Sequence, residues 1–228
     1  MPPFSAATTH ATFLTDAGAG TLPPDRLALW LSQDRIYAAH AYPKFIGSLI
    51  ARIPFSHRHG INSREELKNQ EILKLFVFCL ENIVREVAFF NATAERWNLK
   101  LEGWKNRKGT RDYVAEMVKI ADEGLVEGLV FLWAMERVYL DSWSHVQAQL
   151  HQNNLATSNS PVVALTENWT SPDFVAFVND IGVVVDGLGI TPSSEKWKRA
   201  EEIWARVAEL EVNFWPEDGE ELTMSHIA

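Results

Sequence analysis

The longest uninterrupted helical pattern constrains the fold of this chain most. Residues 63–98 contain neither proline nor glycine and stay amphipathic throughout, so they predict one long helix. Asn62 or Ser63 can cap its first turn, where Glu65 and Glu66 then follow favourably. A helix of this length can bury its apolar face only against other long helices, which predicts a bundle around one elongated core.

Helical periodicity recurs on both sides of this stretch, and we find no convincing strand and no internal repeat. The fold class is therefore predicted to be all-α, a single domain of seven or so helices over residues 23–228, with residues 1–22 as a flexible leader. Pro43 should kink or interrupt the first helix. The other helices are expected near 110–121 and 124–151 (or one helix bent at Gly124), over 172–188, and from Ser193 or Ser194 onward.

Composition and charge exclude several classes of protein. The 228 residues contain 30 acidic and 21 basic side chains, a net charge of −9, which argues against nucleic acid and anionic membranes as partners. The one cysteine, Cys79, excludes an internal disulfide and a multi-cysteine zinc site. No stretch is long and apolar enough to span a bilayer, so we expect a cytoplasmic protein. Nine Trp and twelve Phe predict an aromatic core, an aromatic-lined pocket, or both.

Familiar catalytic motifs are missing from the sequence. It has no Glu-x-x-His pair, His-Glu-x-x-His, phosphate loop, dinucleotide-binding glycine turn or Gly-x-Ser-x-Gly. His57 and His59 flank Arg58 in a loop, and a solvated turn is the favoured interpretation over a metal site. Cys79 lies in an apolar helical stretch and is interpreted as buried and inert. We therefore expect neither a metal nor a cofactor.

Acidic residues inside amphipathic helices remain as candidates for chemistry. Asp34 lies on the apolar stripe of the first helix, where a carboxylate is costly unless it is paired or binds a ligand; a solvated position at the helix border is the alternative. Glu136 shares a helical face with Trp133, Trp143 and either Tyr139 or Leu140. Its pKa should rise, as a general acid or base near neutral pH requires, unless it is a salt-bridged core residue.

Glu211 is the third candidate. It precedes Phe214 and Trp215 by three and four residues, so the three side chains share one helical face. An exposed glutamate is the alternative for this residue taken alone. Three acid–aromatic sets on three long helices are stronger together, because helical bundles build their sites from facing helices.

Two of these segments carry a family resemblance. WLSQDRIYAAHAY resembles the first-helix signature W-x-x-Q-D-x-x-Y of the TenA/thiaminase II family, and EVNFW resembles its C-terminal E-x-x-F-W. The likeness covers about residues 24–217. It implies a haem-oxygenase-like helical bundle, a small-molecule aminopyrimidine as ligand, and a homodimer or homotetramer.

The resemblance also implies roles for individual residues. Asp34 would bind the amino group and ring nitrogen of the pyrimidine, Tyr37 would line the pocket or hydrogen-bond the acid, and Glu211 would be the catalytic acid or base. The other candidate binding residues are Tyr113, Trp133, Tyr139 and Phe214. Where the family has a tyrosine near NWTSPDF, Asn168 or Trp169 stands instead.

The sequence departs from thiaminase II at its nucleophile. The family's cysteine lies four residues before a tyrosine, and that position is Met135 here. The flanking W-A-M-E-R-V-Y resembles the TenA-E subgroup, which lacks the cysteine and has a glutamate that matches Glu136. The expected activity is hydrolysis of amino- or formylaminomethyl-pyrimidine to hydroxymethylpyrimidine in thiamin salvage, with Glu136 and Glu211 as catalytic acid and base. Two alternatives remain: a non-catalytic pyrimidine-binding or regulatory protein, and a haem- or metal-using relative, which the spacing of His40 and His145 does not favour.

Overall fold

The computed structural model describes residues 3–225, and this part of the chain is helical apart from its connections and one β-bridge between Trp104 and Ser225. The all-α prediction is confirmed. In chain order the elements are α1 (Phe4–Thr8), α2 (Thr12–Ala19), α3 (Pro24–Ile36), a π-helical turn (Tyr37–Ala41), α4 (Tyr42–Ile50), α5 (Arg64–Trp97), α6 (Lys108–Glu123), α7 (Leu125–Gln152), α8 (Pro161–Trp169), α9 (Pro172–Asp186), α10 (Glu195–Phe214) and α11 (Glu221–Met224).

The boundaries of α5 follow from its sequence. The Ser63 side chain accepts a hydrogen bond from the backbone N–H of Glu66, a standard N-cap. At the other end Asn98 adopts a left-handed conformation with φ of 52°, which closes the last turn. The predicted helix over 63–98 is therefore confirmed. Ser194 caps α10 in the same way, through the N–H of Trp197.

The interruption predicted at Pro43 is a π-helical turn. The N–H of Tyr42 donates to the carbonyl of Tyr37, and α4 then begins with Pro43 in its first turn. Proline has no N–H to donate, so the regular helical ladder must change here. Residues five apart lie on the same side of a π turn because its hydrogen bonds join residues i and i+5. The turn therefore directs Tyr37 and Tyr42 to the same side.

Helix α7 forms the centre of the bundle. It contacts α1, α2, α6, α8, α9 and α10, and Leu129, Phe131 and Trp143 on it are fully buried. The core is strongly aromatic, because Trp143, Trp169 and Trp215 all surround Trp30 with ring centroids 5.4–5.8 Å away. Within residues 3–225, no helix combines the length and apolar character needed to cross a bilayer.

The expectation of a flexible leader is wrong for residues 3–22. This segment forms α1 and α2, and Phe13 is completely buried, with its ring stacked on Trp215 at 5.3 Å. The Trp215 indole N–H also donates to the carbonyl of Ala7. The small residues that suggested a loose segment instead permit close packing, since a Cβ on Gly18 would lie 2.0 Å from Gln149 Oε1.

Besides α1 and α2, two further helices were not expected from the sequence. The nine residues of α8 form a short apolar run behind the polar connection, and such runs are ambiguous by periodicity alone. The four residues of α11 form a single turn in the acidic tail. Both are too short for a repeating pattern to become visible.

Substitution of Phe13 tests the packing of the N-terminal segment. Phe13→Ala should lower the free energy of unfolding by about 3–5 kcal/mol, because a fully buried aromatic side chain is removed and a cavity remains. Phe55→Ala is the control, since Phe55 is 44% exposed and should cost far less. Urea unfolding of both variants measures the difference, and equal small effects would indicate that residues 3–22 do not pack on the bundle.

Candidate functional site

Four carboxyl groups from four helices converge inside the bundle. Asp34 and Glu211 are buried, and Glu86 and Glu136 are partly buried. None of the ion pairs within residues 3–225 includes any of the four. Each carboxyl instead accepts a hydrogen bond from a neutral aromatic donor: Tyr139 to Asp34 (2.6 Å), Trp169 to Glu86 (2.5 Å), Tyr42 to Glu136 (2.8 Å) and Tyr113 to Glu211 (2.6 Å).

Three of these acids line one small cavity, the inner cavity. Its volume is about 20 Å³, which is room for roughly one water molecule, so a flat heteroaromatic ring can enter only if lining side chains move. None of its lining residues is basic. They are Asp34, Tyr37, Ala38, Tyr42, Ile83, Glu86, Met135, Glu136, Tyr139 and Trp169.

Glu211 belongs to a second layer beside the inner cavity. Its partner Tyr113 packs edge-on against Tyr37, with ring centroids 5.3 Å apart, and Phe214 contacts both tyrosine rings. Glu211 itself does not line the inner cavity. Its charge nevertheless contributes to the raised pKa of Asp34, so the two carboxyls form part of one electrostatic system.

Burial governs the protonation of all four acids. Desolvation raises the pKa of Glu136 and of Glu211 to about 8, and that of Glu86 to about 7. The pKa of Asp34 is also raised, first by desolvation and then by the charge of Glu86. Several of these groups therefore hold a proton at neutral pH and can act either as donors or as acceptors.

Two of the four carboxyl groups have a buried oxygen that lacks a partner in the described part of the chain. These oxygens are Asp34 Oδ2 and Glu211 Oε2. A buried polar atom without a partner is costly in a folded protein and often marks a binding or catalytic position. Each carboxyl thus has one oxygen fixed by a tyrosine and one oxygen free to accept or donate.

Other contacts between α3, α6 and α10 position the carboxyl groups and their tyrosine partners. Gln33 Oε1 accepts from the N–H of Arg107 and from the hydroxyl of Thr110, which joins α3 to the start of α6. Arg107 in turn donates to the carbonyl of Phe214, at the end of α10. A Cβ on Gly109 would lie 2.1 Å from the carbonyl oxygen of Asn213, so only glycine lets α6 and α10 approach as they do. This approach brings Tyr113 to Glu211.

The structure places most of the candidate residues together. Asp34, Tyr37, Glu136 and Tyr139 line the inner cavity, and Tyr113, Glu211 and Phe214 pack directly behind it. The alternatives of a solvated Asp34, an ion-paired Glu136 and an exposed Glu211 do not describe this structure: the exposed fractions of Asp34 and Glu211 are 2% and 0%, and Glu136 has no cationic partner there.

Trp133 is the exception, because the structure does not bring it to the inner cavity. Its ring packs edge-on against Trp204 at 5.1 Å, and its indole nitrogen lies beside Gly182. Trp133 is absent from the lining of the inner cavity. A shared helical face does not decide which neighbour a side chain contacts, because α7 is surrounded by other helices and an inward-facing side chain on it can contact α9 and α10 instead of the cavity.

Glu86 and Tyr42 also lie at this site and were not among the candidate residues expected from the sequence. Glu86 follows the buried residues Cys79 and Ile83 at helical spacing and precedes Phe90, so its place on an apolar stripe was a usable signal. Tyr42 could not be expected from regular helical spacing, because the π turn is what directs it to the same side as Tyr37. The chain has four tyrosines, and all four lie at this site. Trp169, one of two candidates for the missing family tyrosine, lines the inner cavity, whereas Asn168 does not.

The sulfur-containing residues offer no activated thiol. Met135 accepts a hydrogen bond from the Tyr37 hydroxyl, with oxygen and sulfur 3.3 Å apart. Cys79 is fully buried, and burial raises the pKa of its thiol. Within residues 3–225, no group of three or more His, Cys, Asp or Glu side chains is arranged to bind a metal ion.

Comparison with known proteins places the chain in a family. A model of the TENA/THI-4/PQQC family matches residues 3–221. The chain belongs to this family. A soybean (Glycine max) relative named "Probable bifunctional TENA-E protein" is 20% identical over 215 residues, which cover 93% of this chain and 86% of that protein. A "Probable transcription factor" from Fusarium pseudograminearum is 25% identical, and its match covers 78% of this chain but only 42% of that longer protein.

Solved structures of TenA homologues share the fold. The homologue from Pyrococcus furiosus has a TM-score of 0.73 at 22% identity and covers 89% of this chain and 88% of its own. The homologue from P. horikoshii OT3 has a TM-score of 0.74 at 16% identity, with 93% and 90% coverage. At these identities the likeness establishes the TenA-type, haem-oxygenase-like fold.

The raised pKa of Glu211 predicts a pH-dependent effect on stability. Its pKa is about 8 in the folded chain and near 4.5 in the unfolded chain, so the unfolded state ionises first and stability falls as the pH rises through this window. Glu211→Gln cannot ionise and still accepts from Tyr113. It should be more stable than the wild type at pH 8, by roughly 1–3 kcal/mol, and nearly equal to it at pH 5.

Urea unfolding at the two pH values tests this expectation. Glu201→Gln is the matched control, because Glu201 is an exposed residue on the same helix. A stability difference between Glu211→Gln and the wild type that is the same at both pH values would contradict the protonated state assigned to Glu211.

Proposed function

We propose that this protein hydrolyses thiamin-derived aminopyrimidines, converting amino- or formylaminomethyl-pyrimidine to hydroxymethylpyrimidine for thiamin salvage. The observation that supports this most is the inner cavity itself, where aromatic side chains surround Asp34 and its unpaired Oδ2. An aminopyrimidine presents a donor and an acceptor side by side, the amino group and the adjacent ring nitrogen. A single carboxyl group can pair with both.

Asp34 is suited to this pairing in its protonated form. Burial and neighbouring carboxyls raise its pKa, so Asp34 can transfer this proton to the ring nitrogen and then, as the carboxylate, accept from that nitrogen and from the amino group. Tyr139 fixes Oδ1 and thereby the plane of the carboxyl. The flat ring then needs aromatic walls, which Tyr37 and Trp169 provide after a small rearrangement of the cavity.

Glu136, which lines the inner cavity, and Glu211, which reaches the substrate once the lining side chains move, supply the proton transfers. In hydrolysis of the aminomethyl group, the oxygen of water bonds to the methylene carbon, the carbon–nitrogen bond breaks, and ammonia leaves with a proton. One glutamate in its carboxylate form accepts a proton from water, and the other in its acid form donates to the leaving nitrogen of a neutral amine; a substrate that binds as the ammonium ion already carries that proton. Groups with a pKa of about 8 have both forms available near neutral pH. A formylamino substrate first loses formate by hydrolysis of its amide bond.

The absence of a cysteine nucleophile agrees with the TenA-E assignment that we propose for the chain. Met135 lies where the resemblance places the nucleophile, and a thioether cannot form the covalent intermediate. The soybean relative carries the same subgroup in its name. The alternative function is pyrimidine binding without turnover, and the methionine together with the name of the Fusarium relative keeps that alternative open.

Asp34→Asn tests ground-state binding. The amide loses the acidic proton and should raise KM about 10- to 100-fold, the equivalent of a charge-assisted hydrogen bond of roughly 1.5–3 kcal/mol, with little change in kcat. Steady-state kinetics and calorimetry with hydroxymethylpyrimidine measure both quantities. If Asp34→Asn bound the product as tightly as the wild type does, Asp34 would not be the ring-binding residue.

Glu136→Gln and Glu211→Gln test the chemical step. Each should lower kcat by roughly 100-fold or more while product affinity changes little, because proton transfer matters only as the bond breaks. Loss of product affinity in parallel with kcat would assign the glutamates to binding. If both variants turned over at the wild-type rate, the proposed mechanism would be wrong.

Thiamin itself should be cleaved slowly or not at all. The expectation rests on Met135 in place of a nucleophile and on the buried thiol of Cys79, whose raised pKa disfavours the reactive thiolate. Mass spectrometry of thiamin incubated with the enzyme measures the cleavage. Rapid cleavage that disappears in Cys79→Ala would show that Cys79 acts as the nucleophile.

A further inference from the structure

Glu86 lies at the boundary between two cavities. One is the inner cavity with Asp34 and Glu136. The other, the outer pocket, has a volume of about 220 Å³ and lies between α5 and the α8–α9 region, where Asn82, Arg85 and Phe174 contribute to its lining. Of the residues 3–225, Glu86 alone lines both. A ligand that passes from the outer pocket to the inner cavity must therefore pass this carboxyl group.

The environment fixes the Glu86 carboxyl in place. Glu86 Oε1 accepts a hydrogen bond from the Trp169 indole, and that indole is itself stacked on Trp143 with ring centroids 4.9 Å apart. Trp169 also packs edge-on against Tyr139, the partner of Asp34. The position of Glu86 is thus tied to the residue that binds the pyrimidine ring in the proposed function.

Glu86 is also more readily ionised than Glu136 and Glu211. Its pKa of about 7 lies below the value of about 8 for Glu136 and Glu211, because Trp169, Asn168 and Arg85 favour its carboxylate. Among residues 3–225, no lysine, arginine or histidine lines the inner cavity. Glu86 can therefore present a negative charge to a cation that enters from the outer pocket, which it also lines.

We propose that Glu86 binds the exocyclic ammonium group of aminomethylpyrimidine and gives the site a preference for this cation over neutral pyrimidines. The proposal rests on the proposed function and adds the charge of the preferred substrate to it. An aliphatic primary amine is protonated at neutral pH, as the lysine side chain is. A formylamino or hydroxymethyl substituent is neutral and gains nothing from a carboxylate at this position.

Glu86→Gln isolates the charge of this group. Glutamine keeps the oxygen that accepts from Trp169 and removes the negative charge. The variant should bind aminomethylpyrimidine about tenfold or more weakly, as loss of a charged partner predicts, while the dissociation constant of neutral hydroxymethylpyrimidine changes little. Calorimetry with both pyrimidines measures this ratio, and KM values for the aminomethyl and formylaminomethyl substrates should shift in the same selective way.

Glu81→Gln is the matched control, because Glu81 is exposed and lies on the same helix. Unchanged affinity for hydroxymethylpyrimidine in Glu86→Gln also verifies that the site is intact. If the variant weakened the cationic and neutral ligands equally, or neither of them, the role assigned to Glu86 would be wrong while the proposed function stood. A wild-type protein that bound no pyrimidine would overturn both, and one that bound them without turnover would overturn the hydrolase alone.

Discussion

The structure depends on four carboxyl groups, two of them buried and two partly buried, that have no cationic partner within residues 3–225. An ionised carboxylate is expensive in a protein interior unless it is paired, and here neutral tyrosine and tryptophan donors replace the usual lysine or arginine. The cost is lowered by retention of protons, which the raised pKa values express. A site of this kind is poor as an ion-pair network but well suited to a ligand that offers both donors and acceptors.

The bundle is arranged so that these groups can meet. Each acid comes from a different long helix, and the central α7 contributes Glu136 together with Tyr139 and Met135. The π turn after α3 brings Tyr37 and Tyr42 to the same side, which an unbroken α-helix would not do. The N-terminal helices then close the bundle over Trp215, beside the end of α10. The helix packing that forms the bundle therefore also brings the residues of the site together.

Much of this organisation could be predicted from the sequence, and the failures have physical causes. The long helices were visible because α5 contains no proline or glycine, and Asp34 and Glu211 were visible as acids on apolar stripes. The N-terminal helices were not, since small residues that permit close packing resemble those of a loose segment. Trp133 was expected at the inner cavity and does not line it, whereas Glu86 was not expected there and does. A periodic pattern identifies an inward-facing side chain but does not identify which neighbour it will meet.

The protonation of the buried carboxyls in the ligand-free protein is the central claim, and infrared spectroscopy measures it directly. In a titration from about pH 5 to about pH 9, the carbonyl band of neutral carboxylic acids should persist at pH 7, well above the pKa of an ordinary glutamate. It should decline toward pH 8 and be weaker in Glu211→Gln than in the wild type. Complete conversion to carboxylate at the acidic end of this titration would contradict the account, because the site would then consist of ionised groups.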